Sequence, residues 1–240
     1  MYEEILSRVI EALEYCDKDP LVTKSILKEI REVCEREIRN SQAKAKGATE
    51  VKRKKAAEAI LKNVPATREW MNGYVEIGED FMLPNYETLK DGIILTDGFI
   101  MYIGKPITGI KKIEDERGKG LVDLANKLIN YKSSDLNTET VDIAELKSNL
   151  KIAKAEAKAR GIKKEHICEI REACLITHDK NGNNNAVFDA DKVIKACEML
   201  GGDKWTITSQ TATTGAFVEG ENGVCIVMPM RPKNMEWLRG

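Results

Sequence analysis

"GVCIVMPMRP", residues 223–232, runs five apolar residues into Pro–Met–Arg–Pro. Val224, Ile226, Met228 and Met230 share one strand parity, so the stretch reads as a strand with one inward face. Pro229 withholds a ladder donor and ends it. Upstream, "KWTITSQ" and "GAFVEG" read as two further strands. Before them, "ADKVIKACEML" reads as a helix capped by Asp189 and stopped by Gly201 and Gly202. The same plan is laid down earlier. "TVDI" is a short strand, Asp142 and Glu145 form a D-x-x-E capping box, and a helix runs to Gly161. "HICEIREACLITHD" and "NAVF" read as strands around "KNGNNN", whose Asn181 and Gly182 suit a hairpin turn. Strand, helix, two or three strands, helix and three strands follow one another in about a hundred residues. That order implies an α+β fold with antiparallel sheet and both helices on one face.

The first half of the chain differs. Ile5, Leu6, Val9, Ile10 and Leu13 recur at helical spacing, as do Ile26, Leu27, Ile30, Val33, Cys34 and Ile38 after a break at Asp19 and Pro20. A basic third helix is expected to stop before Pro65. From residue 70, "GYVEIGEDFML" and "GIILTDGFIMYIG" read as strands, the second turning at Asp97 and Gly98, and "KGLVDLANKLIN" returns to helix. The expected division is a helical region over 1–69, an incomplete α+β unit over 70–138, and an α+β domain with a C-terminal extension over 139–240.

Composition narrows the class. The chain has 240 residues, 42% apolar and 32% charged, enough for one large core or two ordinary ones. Its N-terminus carries acids where a secretory signal needs bases, and its apolar runs are too short to cross a bilayer. Six cysteines are scattered without a CxxC pair, so reduced thiols and a cytoplasmic location are expected. The net charge of −1 is uneven. Residues 43–63 hold seven Lys/Arg against two Glu, and 143–165 hold seven against three, so two basic segments sit on an acidic remainder.

The stretch 186–231 resembles the last half-domain of the bacterial DNA polymerase sliding clamp, the β subunit. "VFDADKVIKACEML" matches that family's strand running into a helix, and Met228, Pro229, Met230 and Arg231 match its terminal Met-Pro-Met-Arg. "LTDGF", residues 95–99, is similar to the Thr-Asp-Gly turn of the family's first domain. The resemblance is good over 139–231, loose over 70–138, and absent over 1–50. It implies a DNA-clamp-like fold in a reduced or divergent, phage-derived form. Clamps carry three such domains per subunit, whereas this chain has room for two at most. Clamps also end near the Arg, whereas here "PKNMEWLRG" continues.

Two site expectations follow from that resemblance. Clamps encircle duplex DNA with helices whose basic faces meet phosphate without reading sequence. Here Lys147, Lys151, Lys154 and Lys158 form one narrow helical stripe beside the apolar stripe of Ile143, Leu146, Leu150, Ala153 and Ala157. Lys192, Lys195, Lys127, Lys52 and Arg53 would extend it as a phosphate-contacting surface. No aromatic residues interleave with these cations, which argues against stacking on single strands. The second expectation is a peptide cleft lined by Met228, Pro229, Met230 and Arg231, since methionine adapts to many shapes. Its occupant would be a client protein's peptide or the chain's own tail, in which Met235, Trp237 and Leu238 crowd into four residues. A clamp role also implies a homo-oligomer and a replication processivity factor. The alternative is a protein-interaction module that keeps the fold and cleft without encircling DNA.

Catalytic motifs are missing. His166, Cys168, Cys174 and His178 share strand parity, but their spacing matches no zinc finger or ribbon. Asp179, Asn181 and Asn183 fall at EF-hand offsets, yet Asn184 replaces the glycine and Ala190 replaces the bidentate Glu. "GGDKW" and "IGKPITG" lack the phosphate-loop pattern. The chain reads as a non-enzyme with no cofactor, and a metal-dependent enzyme stands as the third alternative.

Overall fold

In the computed structural model, residues 9–10, 20–77, 89, 91–130, 137–179, 181–182, 184–209 and 213–230 are described. The chain divides into two compact units, Met1–Thr49 and Glu50–Gly240. The division falls within one long helix, α1 (Pro20–Leu61). A separate basic third helix was expected here. Only Gly47 interrupts the pattern, and one interior glycine costs a helix only about 1 kcal/mol, too little to break it.

The second unit is built on a seven-stranded sheet. Its strands are β1 (Val75–Glu76), β2 (Ile93–Thr96), β3 (Ile100–Gly104), β4 (Asn137–Thr140), β7 (Thr206–Ser209), β8 (Ala216–Gly220) and β9 (Gly223–Val227). The spatial order is β1-β2-β3-β9-β8-β7-β4, and every pairing is antiparallel. The remaining strands, β5 (Cys174–His178) and β6 (Asn184–Asp189), form a separate hairpin.

Three helices cover this sheet: α2 (Glu116–Asn130), α3 (Ile143–Ala159) and α4 (Ala190–Leu200). Strand alternation sends Ile100 and Tyr102 of β3, and Cys225 and Val227 of β9, into one core with Leu146, Leu150, Val193 and Cys197 of α3 and α4. Ala56, Ala57 and Ile60 of α1 close the same core. The intervening Met101, Ile103, Val224 and Ile226 join a second core with Leu121, Ala125 and Ile129 of α2. Both helices of the 139–230 segment therefore share one face, as expected, while α2 covers the other. Double coverage explains why "GVCIV" is apolar at consecutive positions: every residue of β9 is buried.

The caps and turns match the sequence. Asp142 accepts hydrogen bonds from the amides of Ala144 (2.8 Å) and Glu145 (3.0 Å), and Asp189 accepts one from Asp191 (2.9 Å). Asp97 Oδ1 accepts from the amides of Phe99 and Ile100 and holds the β2–β3 turn, where Gly98 takes φ +89°. Two elements differ. Residues 164–173 are 3-10 turns instead of strand, because the apolar residues Ile167, Ile170 and Ala173 recur at three. Strands from 70–138 and 139–230 also share one sheet through the β3–β9 pair, so these segments are not separate sheets. The five described cysteines, at 34, 168, 174, 197 and 225, are free thiols. No helix among the described residues is long and apolar enough to cross a membrane.

Candidate functional site

The end of β9 decides what lies beside it. Met228 continues the parity of Val224 and Ile226, which face α2. Its amide donates to the Phe99 carbonyl (2.8 Å), locking it against the β2–β3 turn. Pro229 follows, with no amide hydrogen to continue the ladder. Met230 donates its amide to the Val187 carbonyl on β6 (2.8 Å) and packs with Cys168 and Val187. The two methionines of the motif thus serve different surfaces. Met230 covers the β5–β6 hairpin, and Met228, 39% exposed, faces a groove. Arg231 and the tail beyond it lie outside the described residues.

The groove has two lobes meeting at Leu128, Ile226 and Met228. The first, about 350 Å³, lies between the β2–β3 turn and α2, with Arg68, Trp70, Phe99, Leu121 and Leu124 on its walls. The second, about 380 Å³, continues past Thr213, Thr214, Gly215 and Phe217. Gly215 keeps it open, since a Cβ there would stand 2.8 Å from Ile226 Cγ2 and 3.4 Å from Met228 Sδ. Phe99 and Leu124 are 55% and 45% exposed, so three large apolar side chains meet water around one concavity. The rim is cationic: Lys192 Nζ sits 3.8 Å from the centroid of the Phe99 ring, and Arg68 packs beside Gly98.

The sequence named Met228 but missed Phe99, Leu124 and Leu128 as wall residues. The signal was present in α2, where Leu121, Val122, Leu124, Ala125, Leu128 and Ile129 make an apolar stripe wider than the buried face needs. Leu124 is the surplus.

The expected cationic surface comes together only in part. Lys147, Lys151, Lys154 and Lys158 all lie exposed along α3, over a buried stripe of Leu146, Leu150, Ala153 and Ala157. Lys147 pairs with Glu198 of α4 (2.6 Å), and Lys195 pairs with Asp191 (2.6 Å). Lys192 is engaged with Phe99. Lys127 rides on α2, on the far side of the sheet from α3, while Lys52 is exposed. Arg53 corrects the expectation. It is 5% exposed, and its guanidinium donates to the Met199 carbonyl, the Tyr102 hydroxyl, the Lys105 carbonyl and the Glu50 carboxylate. It has no surface to offer a phosphate.

Burial, reinforced by Glu198, pushes the Cys197 thiol up to about 12, and burial pushes Cys225 and Tyr102 well above their ordinary values. Such thiols stay protonated and unreactive. His166 lies 3.3 Å from Glu169, and His178 lies 3.4 Å from Glu139. Among the described residues, no three His, Cys, Asp or Glu side chains gather as metal ligands.

No protein-family model matches the sequence, and no curated protein matches it. Among solved structures, the chain is similar to three bacterial clamps. The Helicobacter pylori β clamp bound to a DNA ligase peptide has a TM-score of 0.43 at 9% identity, covering 73% of this chain and 62% of that one. The Thermotoga maritima DNA polymerase III β subunit has a TM-score of 0.39 at 13% identity, covering 75% and 63%. The Bartonella birtlesii sliding clamp, bound to griselimycin, has a TM-score of 0.39 at 12% identity, covering 77% and 65%. The chain thus spans less than two thirds of the length of each of these clamps.

Proposed function

We propose that this chain is a peptide-docking module of clamp-like build, whose groove at Met228 seats a short apolar segment of another protein. One observation carries the proposal: the clamp-like terminal motif and the exposed apolar groove coincide at Met228. The motif was picked out from sequence, and the concavity depends on α2 and the β2–β3 turn, which lie outside it. A groove of this size with apolar walls and a cationic rim suits two or three large side chains held close together. The test uses a fluorescent decapeptide with closely spaced Leu and Phe. Met228→Glu should weaken its binding at least tenfold without unfolding the protein, because Met228 is half open to water and its anchoring bond is made by the backbone. Undiminished binding by the variant would remove the groove from the function.

A second function, weak duplex DNA contact, is favoured by a separate observation. Lys151, Lys154 and Lys158 stand exposed on one ridge of α3 with no ion-pair partner among the described residues. Three phosphate contacts would make affinity fall on the order of fortyfold between 50 and 200 mM salt. Changing Lys151, Lys154 and Lys158 together to Glu should abolish binding to a labelled duplex at low salt. Binding that survives those changes, or ignores salt, excludes this surface.

A further inference from the structure

We infer that the Met228 groove selects an acidic apolar segment of a partner protein, whose Asp or Glu side chain meets Arg68 and Lys192 at the β2–β3 turn while its large apolar side chains run toward Leu128. The inference rests on the groove assignment above and names the chemistry of the ligand. Two cations converge on consecutive residues of one turn. Lys192 Nζ lies 3.8 Å from the centroid of the Phe99 ring, and Arg68 Nη1 lies 3.3 Å from where a Cβ on Gly98 would stand. Neither forms an ion pair with a described residue. Asp189 feels the charge of Lys192, but its Oδ1 already accepts the Asp191 amide at the start of α4. The turn supplies no free counter-charge either. Its own Asp97 is buried, and Oδ1 accepts the Phe99 and Ile100 amides. The Gly98 amide donates to Thr96 Oγ1. An incoming anion is therefore met here by the two cationic side chains.

Beyond the turn the groove asks for apolar groups. Among the described residues, neither lobe is lined by Asp or Glu. Glu69 lines a separate pocket behind Trp70, together with Lys111, Lys112 and Arg117. The cations thus stand at one end, and uncharged walls run from Leu124 and Met228 through Leu128 to Gly215. That asymmetry sets the polarity of the ligand: carboxylate at the turn, apolar side chains in the two lobes. A carboxylate matches the cations, because the planar fork of arginine takes both oxygens and lysine adds a point charge. A nucleic-acid base fits less well, since Lys192 already lies over the Phe99 ring and Arg117 over Trp70, at 3.8 and 6.0 Å. An ion pair on a solvated rim changes affinity only severalfold, so two together give about tenfold.

The experiment uses the full chain and three labelled decapeptides that share one Leu-Phe pair and differ only in the residues flanking it on both sides: Glu, Gln or Lys. At low salt the unaltered protein should bind the Glu form about tenfold tighter than the Gln form, with the Lys form weakest. Arg68→Glu combined with Lys192→Glu should reverse that order and leave the Gln form within about twofold. The fold tolerates both changes, because Arg68 is exposed and an acid in the first turn of α4 complements the helix dipole. Arg68→Lys should keep the preference for the Glu form. Equal binding of all three forms, still lost in Met228→Glu, would leave the groove standing and overturn the charge selection. A preference that the double variant does not reverse would overturn the assignment to these two cations. Binding of none of the three would remove groove and selection together. Oligothymidylate that binds tighter than the Glu form, and loses that binding in the double variant, would overturn the peptide in favour of a nucleic acid.

Discussion

Arg53 sits in the cationic run Lys52, Arg53, Lys54 and Lys55, yet it is buried. Its partners tie α1 to the end of α4, through the Met199 carbonyl at 2.8 Å, and to β3, through the Tyr102 hydroxyl at 3.0 Å. Tyr102 in turn donates to the Lys105 carbonyl at 2.7 Å. Truncating the arginine strands several buried acceptors, so Arg53→Ala should destabilise the protein by about 3 kcal/mol in urea titration. Part of that effect should depend on pH. Burial pushes the Glu50 carboxyl up, but the Thr108 amide and the Arg53 guanidinium outweigh it and hold it below its ordinary value. A depressed carboxyl stabilises the fold above its unfolded pKa, and that contribution is lost as pH falls through the folded one. The gap between Arg53→Ala and the unaltered protein should therefore narrow in acid, and a gap that widens there would place Glu50 outside the network. Charge alone hid this arginine. Helical spacing could have found it, since Arg53, Ala57 and Ile60 fall at i, i+4 and i+7 on one buried face.

At the scale of elements, legibility followed the strength of local chemistry. Asp142, Asp189, Gly161 and Gly201 bound their helices where the sequence placed them, because each cap satisfies orphan backbone groups whatever the tertiary context. The β2–β3 and β5–β6 turns were legible for the same reason: Gly98 and Gly182 take φ of +89° and +81°, which side chains resist. Partner choice was hidden, because strand pairing is set by packing between distant segments. The β3–β9 pair illustrates this. Gly104 lies opposite Gly223, and a Cβ on either would stand 2.1 Å from the Asn222 carbonyl oxygen or 2.2 Å from that of Ile103. Both glycines are required by this one close approach, and neither neighbourhood announces it. The groove behaves the same way. Its methionine was legible as an odd strand ending, while its walls come from a turn and a helix more than ninety residues away in sequence.

On the scale of the whole molecule, the β3–β9 pair decides what can fold alone. The sequence invites a cut at 138/139, with the complete-looking α+β plan on the far side. In the structure β9 lies between β3 and β8, and its two faces feed two different cores. Removing 1–138 would expose one backbone edge of β9 and strip α2 from Val224 and Ile226. It would also take Ile93, Leu95, Ile100, Tyr102 and Ile60 from the other core. Burying a large apolar side chain contributes about 1.5–3 kcal/mol, so these losses together are as large as the 5–15 kcal/mol by which a domain is ordinarily stable. Residues 139–240 expressed alone should therefore show no cooperative melting transition and should bind a hydrophobic dye. Residues 50–240 should melt in a single transition seen alike by far-ultraviolet and aromatic circular dichroism. A cooperative melt of the shorter fragment would mean that β9 tolerates an open edge, and the α+β plan read from sequence would then be a domain in its own right.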